Sequence, residues 1–562
     1  MTKDSAPWIL GISASHNGAA CLMHGDELIV AIQEERLSRQ KRHRIYAAET
    51  TLSIPYCLSY AGIDPAQLDM VVVSVAGRAM HPSQDLRSNP YLKEALRSVR
   101  LLTIPHHFGH AVSAFATSGF GESAVLVVDG MGSPEEDLFE DERAVVKQRV
   151  EDGWEIISLY AASDTRVTPI EKHMVERAEW LRWAGEEMPR FGSLGGLFSA
   201  VAHQVFNNAM DAGKVMGLAP YGNVTFSADE FFDISRGRFV FLDKVPERFN
   251  HSDRWPLRQD EYSDLSCSVQ QALEEALLYL VGQLRELGPS ENLCYAGGVA
   301  LNSVANERII RESGFKRVHI TPVAEDSGPA VGAAYYGLWQ LTRQYTPRRL
   351  ILDACGRIYS PQSISLAIAG ERGVRFVWSK DILSDTVELL CAGMTVGWFD
   401  GGSELGPRAL GQRSILCDPR RADAKAILNA RVKRREPFRP FAPAILIEEV
   451  GNWFEGDGDL ESAFMLRVCE FRRDKVDLVP AVVHVDNTGR VQTLTREANG
   501  RFYELVKKFF ERTGVPILLN TSFNVMGTPI VETPGDAIEC LLSSGLDCCV
   551  FDDRIVYKQM NW

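Results

Sequence analysis

Nothing in this chain stays apolar for eighteen positions in a row, so no segment reads as a membrane-spanning helix. No CxxC pair occurs among the eleven cysteines, and Cys548 and Cys549 are neighbours. That excludes a structural zinc ribbon and points to reduced thiols. The opening residues, MTKDSAPWILG, lack the apolar core of a signal peptide, so the expected compartment is the cytoplasm. Positive charge is short: 60 basic against 74 acidic residues leave −14, the wrong sign for a protein that embraces a nucleic-acid backbone. One local exception, the basic run Arg36–Arg44 (RLSRQKRHR), reads either as a solvated face or as the rim of a substrate mouth. Short-period repeats and low-complexity tracts are missing too. What remains is an ordinary globular composition, 45% hydrophobic and 24% charged, in 562 residues. That length suggests about three or four compact units.

Three stretches organise the first part. Trp8–Met23 (WILGISASHNGAACLM) reads as strand, small-residue turn and strand, without the helix a Rossmann unit needs next. Ser123–Ser133 (SAVLVVDGMGS) is a buried strand ending in Asp-Gly. Asn292–Ile309 (NLCYAGGVALNSVANERI) is a strand, a double glycine and a helix starting near Leu301, and Cys267–Glu286 is an amphipathic helix. The pattern breaks over Gln344–Pro361, the expected connection, and resumes with strands at Met394–Gly401 and Gly514–Asn524. The division expected is 1–345, a linker at 346–361, and 362–562.

His106 and His110 in TIPHHFGHAVSAF stand four residues apart, on one face of a helix. The glutamate of HExxH is missing, which excludes a metalloprotease. On spacing alone the pair reads first as two buried histidines with hydrogen-bond partners. Asp129 in VVDG and Asp326 in AEDSGPA add carboxylates at strand or loop ends, and two His with two Asp suit a divalent ion that also binds phosphate oxygens. Gly297–Gly298 would let a phosphate or ribose approach the backbone. Lys214 lies in the glycine-rich GKVMGLAPYG.

A second constellation occupies Glu404–Arg420, Lys433–Pro443, His484–Thr493 and Leu519–Asn524. Arg408, Arg413, Arg439 and Arg490 stand among glycine, proline and aromatics rather than acids at helical spacing. They predict a polyanion pocket to which Ser522 adds a hydroxyl, and in a net acidic chain the polyanion expected is a nucleotide.

In this order GISASHNGAACL, EERLSRQK, HHFGH, VVDG, GKVMGLAPYG, YAGGVALN, GPRALGQRS, KRREPFRPFAP, HVDNTGRVQT and LNTSFN resemble the NodU/CmcH carbamoyltransferases, from about Trp8 to Val556. Members of that family decorate nodulation factors, cephamycins, aminoglycosides and macrolides. The resemblance implies an α/β protein with an actin/hexokinase-like N-terminal domain, similar to the tRNA threonylcarbamoyl transferases, and a YrdC-like C-terminal domain. It also implies a chemistry in which the second domain makes carbamoyl adenylate from carbamoyl phosphate and ATP, and the first transfers the carbamoyl group to a hydroxyl.

Carried over residue by residue, the resemblance implies His106, His110, Asp129 and Asp326 as ligands of a metal, usually iron(II). Gly298 and Asn302, flanked by Lys214 and Gly217, match carbamoyl-adenylate positions. Arg408, Arg439, Arg490 and Ser522 match the ATP set; Lys433, Asn520 and Asn524 match the carbamoyl-phosphate side. His16 matches a general base on the acceptor hydroxyl, and Lys41 of the basic run is assigned to acceptor binding. Relatives often carry an acid after that histidine, where this chain has Asn17. The partner implied is a small-molecule hydroxyl acceptor, with no nucleic acid or membrane, and a homodimer is the default oligomer. Two other classes fit parts of the pattern. A tRNA-modifying enzyme conflicts with the net charge, and a non-enzymatic nucleotide-binding regulator leaves the arginine-rich half without a purpose.

Overall fold

The computed structural model describes residues 6–559 apart from 78–84, 184, 186, 289 and 457–459. It forms two compact units, and the chain changes between them more than once. The first unit takes the chain up to Glu34 and again from Arg44 to Leu350; the second takes Glu35–His43 and everything from Ile351. No helix among the described residues is long and apolar enough to cross a membrane.

In the first unit, β1 (Trp8–Ala14), β2 (Ala19–His24) and β3 (Glu27–Gln33) form an antiparallel meander, beside which β4 (Met70–Val75) and β5 (Arg100–Ile104) run parallel to β1. The sheet order is β3-β2-β1-β4-β5. The same arrangement then recurs. β6 (Glu122–Val128), β7 (Gly153–Ser163) and β8 (Arg166–Glu176) form a meander, and two short hairpins follow: β9 (Leu181–Arg182) with β10 (Arg190–Phe191), and β11 (Phe232–Ser235) with β12 (Arg238–Phe241). β13 (Asn292–Ala296) and β14 (Arg317–Ile320) run parallel to β6, giving β14-β13-β6-β7-β8. This duplicated order is the pattern of the actin/hexokinase-like fold. The central strands MVVVSV and SAVLVV are buried over all or nearly all their length, as strands covered on both faces must be.

Each half ends in a helix after its last parallel strand: His106–Ala116 after β5 and Gly328–Thr342 after β14. The two helices cross in backbone contact. A β-carbon at Gly332 would stand 2.0 Å from the carbonyl oxygen of Gly109, so only glycine permits the crossing.

The second unit is α/β, built on one nine-stranded mixed sheet. Its strands are β15 (Val374–Trp378), β16 (Val396–Phe399), β17 (Arg413–Cys417), β18 (Ala442–Leu446), β19 (Arg467–Glu470), β20 (Thr488–Leu494), β21 (Ile517–Ser522), β22 (Cys548–Phe551) and β23 (Arg554–Lys558). They lie in the order β15-β23-β22-β16-β17-β21-β18-β20-β19 over a core that includes Trp398, Leu416, Phe502 and Phe551.

The change of unit at Leu350–Ile351 falls within residues 346–361, where Leu350 N–H donates to the Thr117 carbonyl in the first unit (2.9 Å) and the Asp353 carbonyl accepts the Leu405 N–H in the second (2.9 Å). One feature departs from a linear division. Glu35–His43 belongs to the second unit because Arg36, 1% exposed, donates to the Gly406 carbonyl (2.8 Å) and Arg39 to the Ile530 carbonyl (2.9 Å).

Gly332→Ala should cost about 1–3 kcal/mol, since a methyl forced against Gly109 must push the helices apart. Chemical denaturation measures this, and an unchanged midpoint would contradict the backbone crossing.

Candidate active site

The duplicated halves bring four ligand-type side chains to one place in the first unit. His106 and His110 lie one turn apart on the helix after β5, with their Nε2 atoms 3.2 Å apart. Asp326 occupies the corresponding position in the other half, just before helix Gly328–Thr342, and Asp129 directly follows β6. His106 Nε2 is 3.4 Å from both Asp129 Oδ2 and Asp326 Oδ1, while His110 Nε2 is 3.5 and 3.8 Å from the same atoms. All four ligand atoms fall within 4.8 Å of one another, and all four residues are buried.

The donor set fits a divalent ion. Asp129 Oδ1 accepts N–H bonds from Gly130 (2.7 Å) and Gly298 (3.3 Å), whereas its buried Oδ2 has no hydrogen-bond donor. Two ligands about 2.1 Å from a tetrahedral ion stand about 3.4 Å apart, close to the spacings here. Burial and the Asp326 charge push the Asp129 carboxyl up, but the His106 and His110 imidazoles beside it win and hold it well below the usual range. Burial pushes both imidazoles down, but the Asp326 charge beside His106 and the Asp129 carboxylate beside His110 win, and both end raised. Two carboxylates and two imidazoles thus form a donor set whose shared protons a divalent cation would displace.

His16, in the turn after β1, has Nδ1 2.9 Å from Asp326 Oδ2, with 43% of its side chain exposed. Asp326 raises its pKa against burial. The acid missing at Asn17 is thereby supplied from across the fold. Asn17 itself donates to Glu325 Oε2 (2.9 Å), and Gln33 donates to Glu325 Oε1 (2.9 Å), tying the turn to the Glu325–Ser327 loop.

The double glycine answers to the chain itself. Gly297 has φ +94°, and a β-carbon there would stand 2.2 Å from the Val128 carbonyl oxygen; at Gly298 it would meet Asp129 Oδ1 at 3.0 Å. Asn302 caps helix Ser303–Glu312 and donates to Gln270 Oε1 (2.8 Å). Lys214 and Gly217 share helix Ala212–Leu218, where Lys214 Nζ pairs with Asp211 (3.0 Å) and lies 5.2 Å from the Phe206 ring centroid.

The second unit gathers Arg408, Arg439 and Arg490, and adds Arg435, which motif reading passed over. Burial and the Arg439 charge lower Arg408 to about 10 and Arg435 to about 9. Arg490 is pushed down by burial and then by Arg408, Arg435 and Arg439. The Nε atoms of Arg408 and Arg490 are buried without a hydrogen-bond partner. Glu436 stands 3.8 Å from Arg439. Such a cluster is relieved by an anion. Glu404, fully buried, holds the loop that carries Arg408 by accepting the N–H groups of Leu410 (2.7 Å), Gln412 (2.8 Å) and Arg413 (3.3 Å).

Arg413 does not join the pocket: it is fully buried, donates to the carbonyls of Asp400 (2.6 Å) and Glu532 (3.3 Å), and stacks 3.6 Å from the Phe399 centroid. Lys433 meets Ser522 and Asn524 at the end of β21, where its ammonium donates to their own oxygens at 2.6–3.1 Å; burial lowers its pKa. Lys41 belongs with Glu35–His43 to the second unit, where its charge is among those acting on Lys433. Asn520 donates to Ala409 (3.2 Å) and Gln492 (2.8 Å) and leaves a buried Oδ1 unpartnered.

Inorganic pyrophosphate should therefore bind the wild-type protein, and Arg490→Ala should weaken it about 30- to 100-fold, on the order of 2–3 kcal/mol. Calorimetric titration checks this; equal affinity would remove Arg490 from the anion site.

Two family models match the chain: carbamoyltransferase N-terminus over residues 8–100 and 86–335, and carbamoyltransferase C-terminus over 387–558. The nodulation protein NolNO of Sinorhizobium fredii is 33% identical, with 97% of this chain and 79% of that protein covered. The nodulation protein NolO of Bradyrhizobium diazoefficiens is 34% identical, with 81% and 79% covered. Among solved structures, full-length HypF in its phosphate- and nucleotide-bound form aligns over 60% of this chain and 56% of that one, at 14% identity and a TM-score of 0.38.

Proposed function

Because the chain belongs to the carbamoyltransferase family that these two models describe, we propose that it transfers a carbamoyl group to a hydroxyl by way of carbamoyl adenylate, using ATP and carbamoyl phosphate. The carrying observation is the crowd of Arg408, Arg435, Arg439 and Arg490, with two buried guanidinium N–H groups left without an acceptor. A cluster of that kind supports a polyphosphate ligand, which a transfer directly from carbamoyl phosphate would not need.

In this reading the YrdC-like second unit performs activation. Water cleaves carbamoyl phosphate to carbamate and phosphate. A carbamate oxygen then attacks the α-phosphorus of ATP, the bond to the β-phosphate oxygen breaks, and pyrophosphate leaves. Arg408, Arg439 and Arg490 hold the charge that collects on the departing group. Ser522, Asn520 and Asn524, the last two oriented by Gln492 and Lys433, line the same region.

The first unit performs transfer. His16, tied through Nδ1 to Asp326, has Nε2 left for the acceptor. It takes the hydroxyl proton as the oxygen attacks the carbamoyl carbon and AMP departs. Gly298, Asn302, Lys214 and Gly217 are the positions proposed to border the adenylate. His106, His110, Asp129 and Asp326 would hold a divalent ion, with iron(II) the proposed one, and such an ion supplies Lewis acidity to phosphate oxygens. The acceptor proposed is a hydroxyl of a small secondary metabolite such as a macrolide or aminoglycoside, with Lys41 assigned to its binding. A cytoplasmic homodimer without nucleic-acid partners completes the reading.

Two variants separate the half-reactions. Arg439→Ala should abolish carbamoyl-phosphate-dependent pyrophosphate release. His16→Asn should leave that release intact while carbamoylated product falls about 10²–10⁴-fold, the usual cost of losing a general base. Product formed at the wild-type rate by His16→Asn would contradict the assignment of the base.

A further inference from the structure

The first N–H groups of a helix have no partner within it. In helix His106–Ala116 they are taken up by two side chains from elsewhere. The His106 N–H donates to Ser133 Oγ (2.9 Å) and the His107 N–H to Glu155 Oε1 (3.0 Å). That same oxygen accepts the Ser133 N–H (2.9 Å), and the Glu155 N–H donates back to the Ser133 carbonyl (2.9 Å).

Glu155 is itself anchored. Its second oxygen accepts from the Lys172 ammonium, which also reaches Glu142 (3.0 Å), Ser158 Oγ (3.0 Å) and Tyr160 Oη (2.9 Å). Glu142, Glu155, Ser158, Tyr160 and Lys172 are all 0% exposed. Capping a helix needs only one acceptor, such as a serine at the surface. Burying a lysine and two glutamates to do it is expensive, so helix stability alone is a poor reason for the network. Its position gives a better one. The pairing of β7 with β8 slips between Glu155 and Ile157, a bulge that re-aims the strand at this point. Within the bulge Glu155 fixes the start of the histidine helix, and the next residue, Ile156, accepts the Asp129 N–H at its carbonyl (3.1 Å). Two consecutive residues thus set the places of three of the four ligands: His106 and His110 through the helix, Asp129 through its backbone.

We infer that Ser133 and Glu155 are positioning residues of the His106–His110–Asp129–Asp326 cluster, holding the histidine helix at the spacing a divalent ion needs; this rests on the metal reading above. Neither residue touches an imidazole-coordinating position, so both act through the backbone of the ligands.

The probe is Co(II), whose visible absorption reports its coordination, titrated in competition with a chelator into wild type and Ser133→Ala. Removing an outer partner of a metal ligand typically weakens binding about 10–100-fold, and that loss is expected here with an altered Co(II) spectrum. The thermal melt of the metal-free variant serves as the control for folding. Should Ser133→Ala fail to fold, Glu155→Gln takes its place, expected to shift the Co(II) spectrum because its oxygen is no longer held by a full charge pair with Lys172. Wild-type affinity and spectrum in the folded variant would overturn the inference alone. A wild-type protein that takes up no Co(II) would overturn the metal reading and this inference together.

Discussion

Asp326 lies buried between two kinds of histidine, with Oδ2 2.9 Å from His16 Nδ1 and Oδ1 3.4 and 3.8 Å from His106 and His110 Nε2. A carboxylate is worth burying only where its charge is shared among good donors. Here the sharing also couples a turn after β1 to a helix after β5. The neighbouring Glu325, accepting from Asn17 and Gln33, keeps the turn in place, so the loop before helix Gly328–Thr342 sets both the candidate base and the candidate metal nest. The backbone crossing at Gly109 and Gly332 brings the two helix starts close enough for this.

The duplicated sheet explains why these residues converge. His16 and Asp129 follow the first strands of the two meanders, while the His106 helix and Asp326 follow the last parallel strands. Two copies of one layout, facing each other, place four separate sequence positions around one point. The second unit works differently. Its arginines come from loops and one strand, and Glu404 makes the loop carrying Arg408 rigid by collecting three of its N–H groups.

Local signals were legible before the fold. The four-residue spacing of His106 and His110 placed both on one helical face, and Asp129 and Asp326 stood at strand or loop ends where side chains converge. Arginines among glycine and proline marked the cluster of Arg408, Arg439 and Arg490, but Arg413 shared that setting while turning to carbonyls and Phe399, a difference only packing decides. Gly297–Gly298 suggested room for a phosphate; the structure adds that a side chain at either position would meet Val128 or Asp129. The duplication, the transfer of Glu35–His43 to the second unit, and the roles of Glu155 and Glu404 were not legible. The duplication repeats strand order rather than residues, and the remaining three depend on contacts between distant positions or on buried acids that resemble any other glutamate.

The central claim is that activation proceeds through an adenylate before any acceptor is engaged. The most direct measurement is exchange of labelled pyrophosphate into ATP in the absence of acceptor. Label should enter ATP only when carbamoyl phosphate is present, because the adenylate forms reversibly. No exchange in a protein that nonetheless carbamoylates its acceptor would contradict the account.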